Sequence, residues 1–159
     1  MEEKKACLQT ALRSLTRKMS SEQEMIEKLQ KWTYSQEAID TTISELKRLR
    51  YLDDTRFIHA LAEELYTYKK YGPIRVKQAL VRKHFPSSLI DQAMDEHGDP
   101  DRDRENALYW GEKKMRALTN KERPKQIRSL QQHLYTKGFT PNTVRMVVQK
   151  LIFDKSEDE

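Results

Sequence analysis

The sequence predicts an all-α fold of three tandem three-helix repeats forming an elongated, curved molecule, and three observations carry that prediction. The first is an apolar register that recurs three times: Met25, Leu29, Tyr34, Ile39, Ile43; then Val76, Leu80, Phe85, Ile90, Met94; then Leu130, Leu134, Phe139, Val144, Val148. Each set steps by four, five, five and four residues, and the aromatic positions lie 51 and 54 residues apart. A step of four on either side of a five-five break describes two amphipathic helices joined by a tight turn with a large apolar residue at the corner. Such self-similarity marks stacked supersecondary units, none of which can bury its apolar face alone. The second observation is a thin apolar complement, 36% of residues with a mean hydropathy of -0.92, which implies shallow packing and an elongated shape. The third is helix punctuation by Ser, Thr, Asp and Pro at the repeat joints, with no alternating strand pattern between them.

Taken in order, the first helix covers 4–18, with Leu8, Ala11, Leu12 and Leu15 on its apolar face. Ser21-x-x-Glu24 is a capping box that starts a second helix reaching Trp32. Ser35 caps the third, whose face is Ile39, Ile43, Leu46 and Leu49. Asp53-Asp54 opens repeat two, where carboxylates suit a helix N-terminus. Its first helix should bury Phe57, Ala60, Leu61 and Leu65 and run to Gly72. Pro73 starts the next helix, which ends at His84, and Pro86-Ser87 opens the third, which stops at His97-Gly98. Asp99-Pro100-Asp101 is a polar, helix-breaking linker. Repeat three follows with Ala107, Leu108, Gly111, Met115 and Leu118 along one helix. Pro124 opens a helix that Gly138 terminates, Thr140-Pro141 starts the last one, and an acidic tail from Asp154 frays. The repeats are thus bounded at 1–52, 53–98 and 99–159. Residues 20–50, 73–97 and 123–153 should superpose, with Tyr34, Phe85 and Phe139 at one equivalent buried corner.

The net charge is +5, and its distribution matters more than its size. Residues 65–90 hold Lys69, Lys70, Arg75, Lys77, Arg82 and Lys83 without an acid. Residues 123–153 hold Arg123, Lys125, Arg128, Lys137, Arg145 and Lys150, again without an acid. Residues 91–105, by contrast, contain seven acids. Charge segregated in this way suits an anionic partner on one surface. Tyr66, Tyr68 and Tyr71 lie among the first set of cations, and aromatic rings between cations suit nucleic acid, the rings stacking on bases while the cations meet phosphates. Tyr66 and Tyr71 can equally be core residues of a helix face, Tyr68 less so. The nucleic-acid candidates are therefore Lys69, Lys70, Arg75, Lys77, Arg82, Arg123, Lys125, Arg128 and Tyr68, with Lys83 as a bystander.

Catalytic chemistry finds no constellation here. His59, His84, His97 and His133 are isolated, with no partner at metal-ligand spacing, and Cys7 is the single cysteine. Lys137-Gly138-Phe139-Thr140 lacks the upstream glycine and the preceding strand of a phosphate loop. Neither a cofactor, a metal nor an enzymatic activity is expected. No long uncharged apolar run and no secretory leader are present, so a cytoplasmic location and no membrane contact are expected; the protein is also expected to be a monomer.

Two strings then carry a family resemblance. Arg50-Tyr51-Leu52-Asp53-Asp54-Thr55-Arg56-Phe57 resembles the Y-L-D-D-x-R-F signature of the RecX family of recombinase regulators. Tyr71-Gly72-Pro73-Ile74-Arg75-Val76, with Leu80 and Lys83-His84-Phe85 after it, is similar to that family's G-P-x-R-I segment and the stretch that follows it. Thr136-Lys137-Gly138-Phe139, with Val144 and Val148, is similar to its closing repeat. Two positions depart from the pattern: Arg50 stands where glycine is frequent, and His84 replaces the glycine before Phe85, at a helix end expected to need positive φ. The resemblance implies a modulator, an inhibitor, of the RecA recombinase. Such a protein binds the RecA–single-stranded DNA filament along its groove and restrains ATPase and strand exchange in recombination, repair and the SOS response. Tyr51, Leu52, Asp53, Asp54, Arg56, Phe57, Gly72, Pro73, Gly138 and Phe139 are the family-motif positions, with mainly structural roles expected. Leu52 and Phe57 would plug the joint between repeats one and two, Asp53 or Asp54 would cap the helix after it, and Arg56 could pair with either. The alternatives are a sequence-specific trihelical DNA-binding regulator and a helical scaffold for protein partners. The third helices begin Gln36-Glu37-Ala38, Ser87-Ser88-Leu89 and Asn142-Thr143-Val144, poor in the arginines that major-groove readout favours.

Overall fold

The computed structural model describes residues 1–154, and among them there are nine α-helices and no strand. They are α1 (Glu2–Arg17), α2 (Glu22–Lys31), α3 (Gln36–Arg48), α4 (Asp54–Glu63), α5 (Pro73–Arg82), α6 (Ser87–His97), α7 (Pro100–Arg116), α8 (Arg123–Thr136) and α9 (Pro141–Val148). α4 and α9 each run on into one wide π-type turn, Glu64–Tyr68 and Gln149–Phe153. The acidic tail expected to fray lies, from residue 155 onward, outside the described residues. The chain divides into two compact units: residues 1–61 with 80–92, and residues 62–79 with 93–154 of the described chain. The division therefore runs through repeat two.

The capping chemistry falls where the sequence places it. Ser21 and Glu24 form a reciprocal capping box at α2, Ser35 accepts from the Ala38 amide, Asp99 from those of Asp101 and Arg102, and Thr140 from that of Thr143. Each such cap satisfies amides that the first helical turn cannot pair internally. The residue before each corner aromatic is left-handed, with φ of 61° at Thr33, 62° at His84 and 95° at Gly138. Each helix end closes the same way: the amides of Thr33, His84 and Gly138 donate to the carbonyls of Gln30, Val81 and Tyr135. The repeat seen in the apolar register is thus also a repeat of backbone conformation. Arg50 shares it, with φ of 64°, and the Tyr51 amide closes back on the Leu46 carbonyl. Both departures from glycine in the family pattern therefore sit in backbone that favours glycine.

In the first unit the core is Cys7, Ala11, Met25, Leu29, Ala38, Ile39, Ile43, Leu46 and Leu52. In the second it is Ala107, Leu130, Leu134, Phe139, Val144, Val147, Val148, Leu151 and Ile152. Thirteen of the fifteen register positions are buried; Tyr34 and Met94 are half-buried. Tyr34 reaches the surface through its hydroxyl, 2.8 Å from Thr10 Oγ1, so its corner is tied by a hydrogen bond where Phe85 and Phe139 rely on packing.

Four expectations need correction. Leu118, expected along one helix with Ala107 and Met115, is buried just beyond the end of α7 at Arg116. Ala60 is exposed and Leu61 only half-buried, because α4 is turned so that Phe57, Ile58 and Ala62 face inward. Leu49, expected on the inner face of α3, is exposed at its C-cap. The first helix of repeat two does not run regularly to Gly72: it widens at 64–68, and Lys70 turns left-handed with φ of 57°. Side chains of α7 take up carbonyls at this irregular end. The buried Asn106 donates Nδ2 to the Tyr66 carbonyl at 2.9 Å, and Trp110 donates Nε1 to that of Lys70 at 2.8 Å.

Candidate nucleic-acid interface

A cluster of cations and rings forms in the second unit, and glycine backbone brings it together. The Gly72 amide donates to the Lys137 carbonyl at 2.8 Å and the Ile74 amide to the Gly138 carbonyl at 3.0 Å, so the entry to α5 is sewn to the end of α8. A Cβ on Gly72 would lie 2.4 Å from the Gly138 oxygen, and one on Gly138 would lie 2.3 Å from Arg75 Cβ. Only glycine admits this approach, and it sets Arg75 beside the Lys137 segment. Pro73, at the first position of α5, needs no amide partner there.

Arg75 lies over Tyr71, its Cζ 3.9 Å from the ring centroid, and its Nη1 donates to the Thr136 carbonyl at 3.3 Å. Lys137 places Nζ 3.8 Å above the Trp110 ring and 5.9 Å from that of Tyr71. Lys113 Nζ is 5.4 Å from the Trp110 centroid, and Lys70 Nζ is 5.3 Å from that of Tyr109. Tyr109 meets Trp110 edge to face at 5.1 Å, and His133 meets Trp110 at 6.0 Å. The indole is fixed by its bond to the Lys70 carbonyl, so it serves as a rigid platform.

The electrostatics follow from crowding like charges on that platform. Burial, then Arg75 and Lys113, push the Lys137 ammonium below the usual lysine range. Burial, then Lys114, Lys137 and Lys113, push the His133 imidazole down. The charges that act on these two groups are all positive, and an anion placed among them would relieve the repulsion. Cation–ring contacts of this geometry are worth about 0.5–2 kcal/mol each and hold flexible cations in place before a ligand arrives. Phosphates match the arrangement, since the rings hold several positive charges together in place.

Of the candidates read from the sequence, Lys70 and Arg75 belong to this cluster. Tyr68, 77% exposed, and Lys69 stand near it in sequence at the end of the π-type turn. Lys77 is exposed on α5, Lys125 and Arg128 are on α8, the first exposed and the second lining a groove there, and Arg123 lies over the Phe153 ring at 5.4 Å. Arg82 and Lys83 belong to the other compact unit. There the Lys83 carbonyl accepts from the Ser21 hydroxyl, and burial with Lys18 nearby lowers its ammonium. Tyr66 is a core residue whose hydroxyl burial pushes up to about 12. Sequence reasoning left out Lys113, Tyr109, Trp110 and His133, and gave Tyr71 and Lys137 no place among the site residues. Lys113 and Trp110 are three apart on one helical face, the available local signal, but α7 opens within the acidic stretch.

The motif residues at the first joint act structurally. Leu52 and Phe57 are buried, and Phe57 meets Phe85 edge to face at 5.4 Å. Asp53 Oδ1 accepts from the Arg56 amide at 3.2 Å, capping its own helix. Asp54 reaches elsewhere: its Oδ1 accepts from the Glu22 amide at 2.9 Å, so it caps α2 beside Ser21. Burial raises the Asp54 carboxyl pKa despite that bond. Tyr51, by contrast, is 56% exposed. Among the described residues no group of His, Cys, Asp and Glu is placed to hold a metal ion, and no helix is long and apolar enough to cross a membrane.

Comparison with known proteins identifies the family. The models of the first, second and third three-helix domains of RecX match residues 7–46, 53–94 and 101–148. The regulatory protein RecX of Clostridioides difficile is 30% identical over 146 residues, covering 91% of this chain and 68% of that protein. That of Vibrio campbellii is 32% identical over 131 residues, covering 80% and 83%. That of Oceanobacillus iheyensis is 27% identical, and the chain spans 52% of its length. The crystal structure of RecX from Lactobacillus salivarius shares the fold with a TM-score of 0.81 over 96% of this chain and 98% of that one, at 18% identity. With three domain models in order and relatives matched over most of its length, the chain belongs to the RecX family of regulatory proteins.

Proposed function

We propose that this regulator is a non-enzymatic inhibitor of the RecA recombinase, one that binds the RecA–single-stranded DNA filament and restrains its ATPase and strand-exchange activities. The observation that carries the nucleic-acid half of this reading is Lys137 on Trp110, with Arg75 on Tyr71 beside it and Lys70 and Lys113 around them. The recombinase half rests on family membership and on the motif strings that resemble those of recombinase regulators. On this reading the protein works in the cytoplasm as a monomer, in recombination and DNA repair, and needs no cofactor. It has no ATPase of its own; what it changes is the filament.

Capture experiments test the reading directly. Immobilised protein should retain RecA most strongly when single-stranded DNA and a non-hydrolysable nucleotide are both present, and purified protein should lower the DNA-dependent ATPase of RecA. Retention of one duplex sequence over random single strands would instead support a sequence-specific regulator. Salt-insensitive capture of proteins without DNA would support a scaffold.

A further inference from the structure

Beyond the phosphate cluster, the outer face of α8 carries a groove that the function above does not use. It is shallow and open to solvent and is lined by Arg128, Gln131, Gln132, Tyr135 and Thr136. Arg128, Gln131 or Gln132, and Tyr135 are spaced by three or four residues, so they form one stripe along the helix. The lining contains a ring, two carboxamides, a guanidinium and a hydroxyl, and no carboxylate. Tyr135 is 49% exposed, so its ring offers a face to solvent instead of filling the core.

We propose that this stripe is a base seat for single-stranded DNA. Tyr135 stacks on an unpaired base, Gln131 and Gln132 meet base edges, and Arg128 holds a phosphate. The proposal rests on the nucleic-acid reading of the Lys137 cluster and adds which part of the strand is read. The two are joined through the end of α8. Arg75 donates to the Thr136 carbonyl, and Thr136 also lines the groove, so Arg75 stands at the edge of the seat. On this proposal a strand whose phosphate sits at Arg75 lays a neighbouring base on the Tyr135 ring. Carboxamides both donate and accept, so they suit every base and impose no sequence. A duplex has its bases stacked on one another and cannot offer one to a surface ring. The groove therefore favours single strands over duplex.

The test compares the unmodified chain with Tyr135→Ala and Tyr135→Phe in fluorescence-anisotropy titrations. The ligands are an oligothymidine, the same backbone without bases, and a duplex of equal length, each across a range of salt. Loss of one stacked base should weaken oligothymidine binding about 5- to 150-fold in Tyr135→Ala. The salt slope should not change, because stacking releases no counterions. Tyr135→Phe should bind like the unmodified chain, and the alanine change should leave abasic and duplex binding unaltered. A 2-aminopurine in the strand should be quenched on binding by the unmodified chain and Tyr135→Phe, and not by Tyr135→Ala. Unchanged oligothymidine affinity in Tyr135→Ala, or an equal loss with the abasic strand, overturns the base seat while leaving the phosphate cluster standing. If the unmodified chain binds no single strand at all, the seat and the nucleic-acid reading both fall.

Discussion

Gly72 and Gly138 meet backbone to backbone: a Cβ on Gly72 would stand 2.4 Å from the Gly138 carbonyl oxygen, and the Ile74 amide donates to that oxygen at 3.0 Å. The contact joins two motif strings far apart in the chain, and it delivers Arg75 to Lys137. Gly138→Ala should therefore fail twice. The left-handed backbone costs a Cβ about 1–2 kcal/mol, and overlap with Arg75 adds about 1–3 kcal/mol. Urea denaturation should show a loss of about 2–5 kcal/mol; a loss below about 0.5 kcal/mol would mean that the two segments are not held together.

Arg50 gives the opposite expectation. Its φ of 64° already carries the strain that glycine would avoid, and the residue is exposed. Arg50→Gly should leave stability unchanged or raise it by up to about 1 kcal/mol, the relief of strain being partly offset by the freedom of glycine in the unfolded chain. Thermal melts of Arg50→Gly and Gly138→Ala should move apart. A marked drop for Arg50→Gly would assign the arginine side chain a contact that outweighs its backbone.

Most of the fold was legible because its signals are local. Apolar steps of four, Ser and Thr caps, and Pro at helix starts each act within a few residues, and Ser21, Ser35, Thr140 and Pro73 all fall where their chemistry requires. The irregular end of α4 shows the limit. Its widening at 64–68 is supported by Asn106 and Trp110, which come from α7, a helix much later in the chain, and no local propensity reports that. Asp54 is a second case: a carboxylate after a loop reads as a cap for its own helix, yet it serves α2. The candidate site was half legible for the same reason. Lys70 and Arg75 stood out by charge, whereas Lys113 and Trp110 join them only through tertiary placement.

Phe85 tests the corner. It is buried, meets Phe57 edge to face at 5.4 Å, and follows the left-handed His84. Phe85→Ala should cost about 3–5 kcal/mol, the transfer energy of the removed ring plus the cavity left behind. Phe85→Leu should recover much of it. If Phe85→Ala melts like the unmodified chain, the repeated corner is not a packing element.

His133 predicts a pH dependence with a definite sign. Burial and three neighbouring lysines hold its folded pKa below the unfolded value of about 6.5. The unfolded chain then binds more protons as pH falls through that value, so this contribution is complete above about 6.5 and is lost below it. Thermal melts between about pH 7.5 and 5.5 should fall with acidification, and His133→Gln should flatten the fall. An identical profile in the variant would place the titration elsewhere.

The last prediction concerns the cations themselves. Arg75 and Lys137 lie on Tyr71 and Trp110, where removing charge need not disturb the core. Arg75→Gln with Lys137→Gln should weaken single-strand binding and flatten the log–log salt dependence by about 0.7 for each phosphate left without its cation, or about 1.4 for the two together. Helical content by circular dichroism should stay the same. The pair Arg75→Ala with Lys77→Ala gives a graded comparison: Lys77 is exposed on α5 and has no ring beneath it in the cluster, so a slope change equal to one phosphate would identify Arg75 as the cation that meets it. If the double glutamine variant keeps both the affinity and the slope for naked strand and for the RecA filament, the cluster is a stabilising cation–ring network. Recognition would then have to come from elsewhere on the chain.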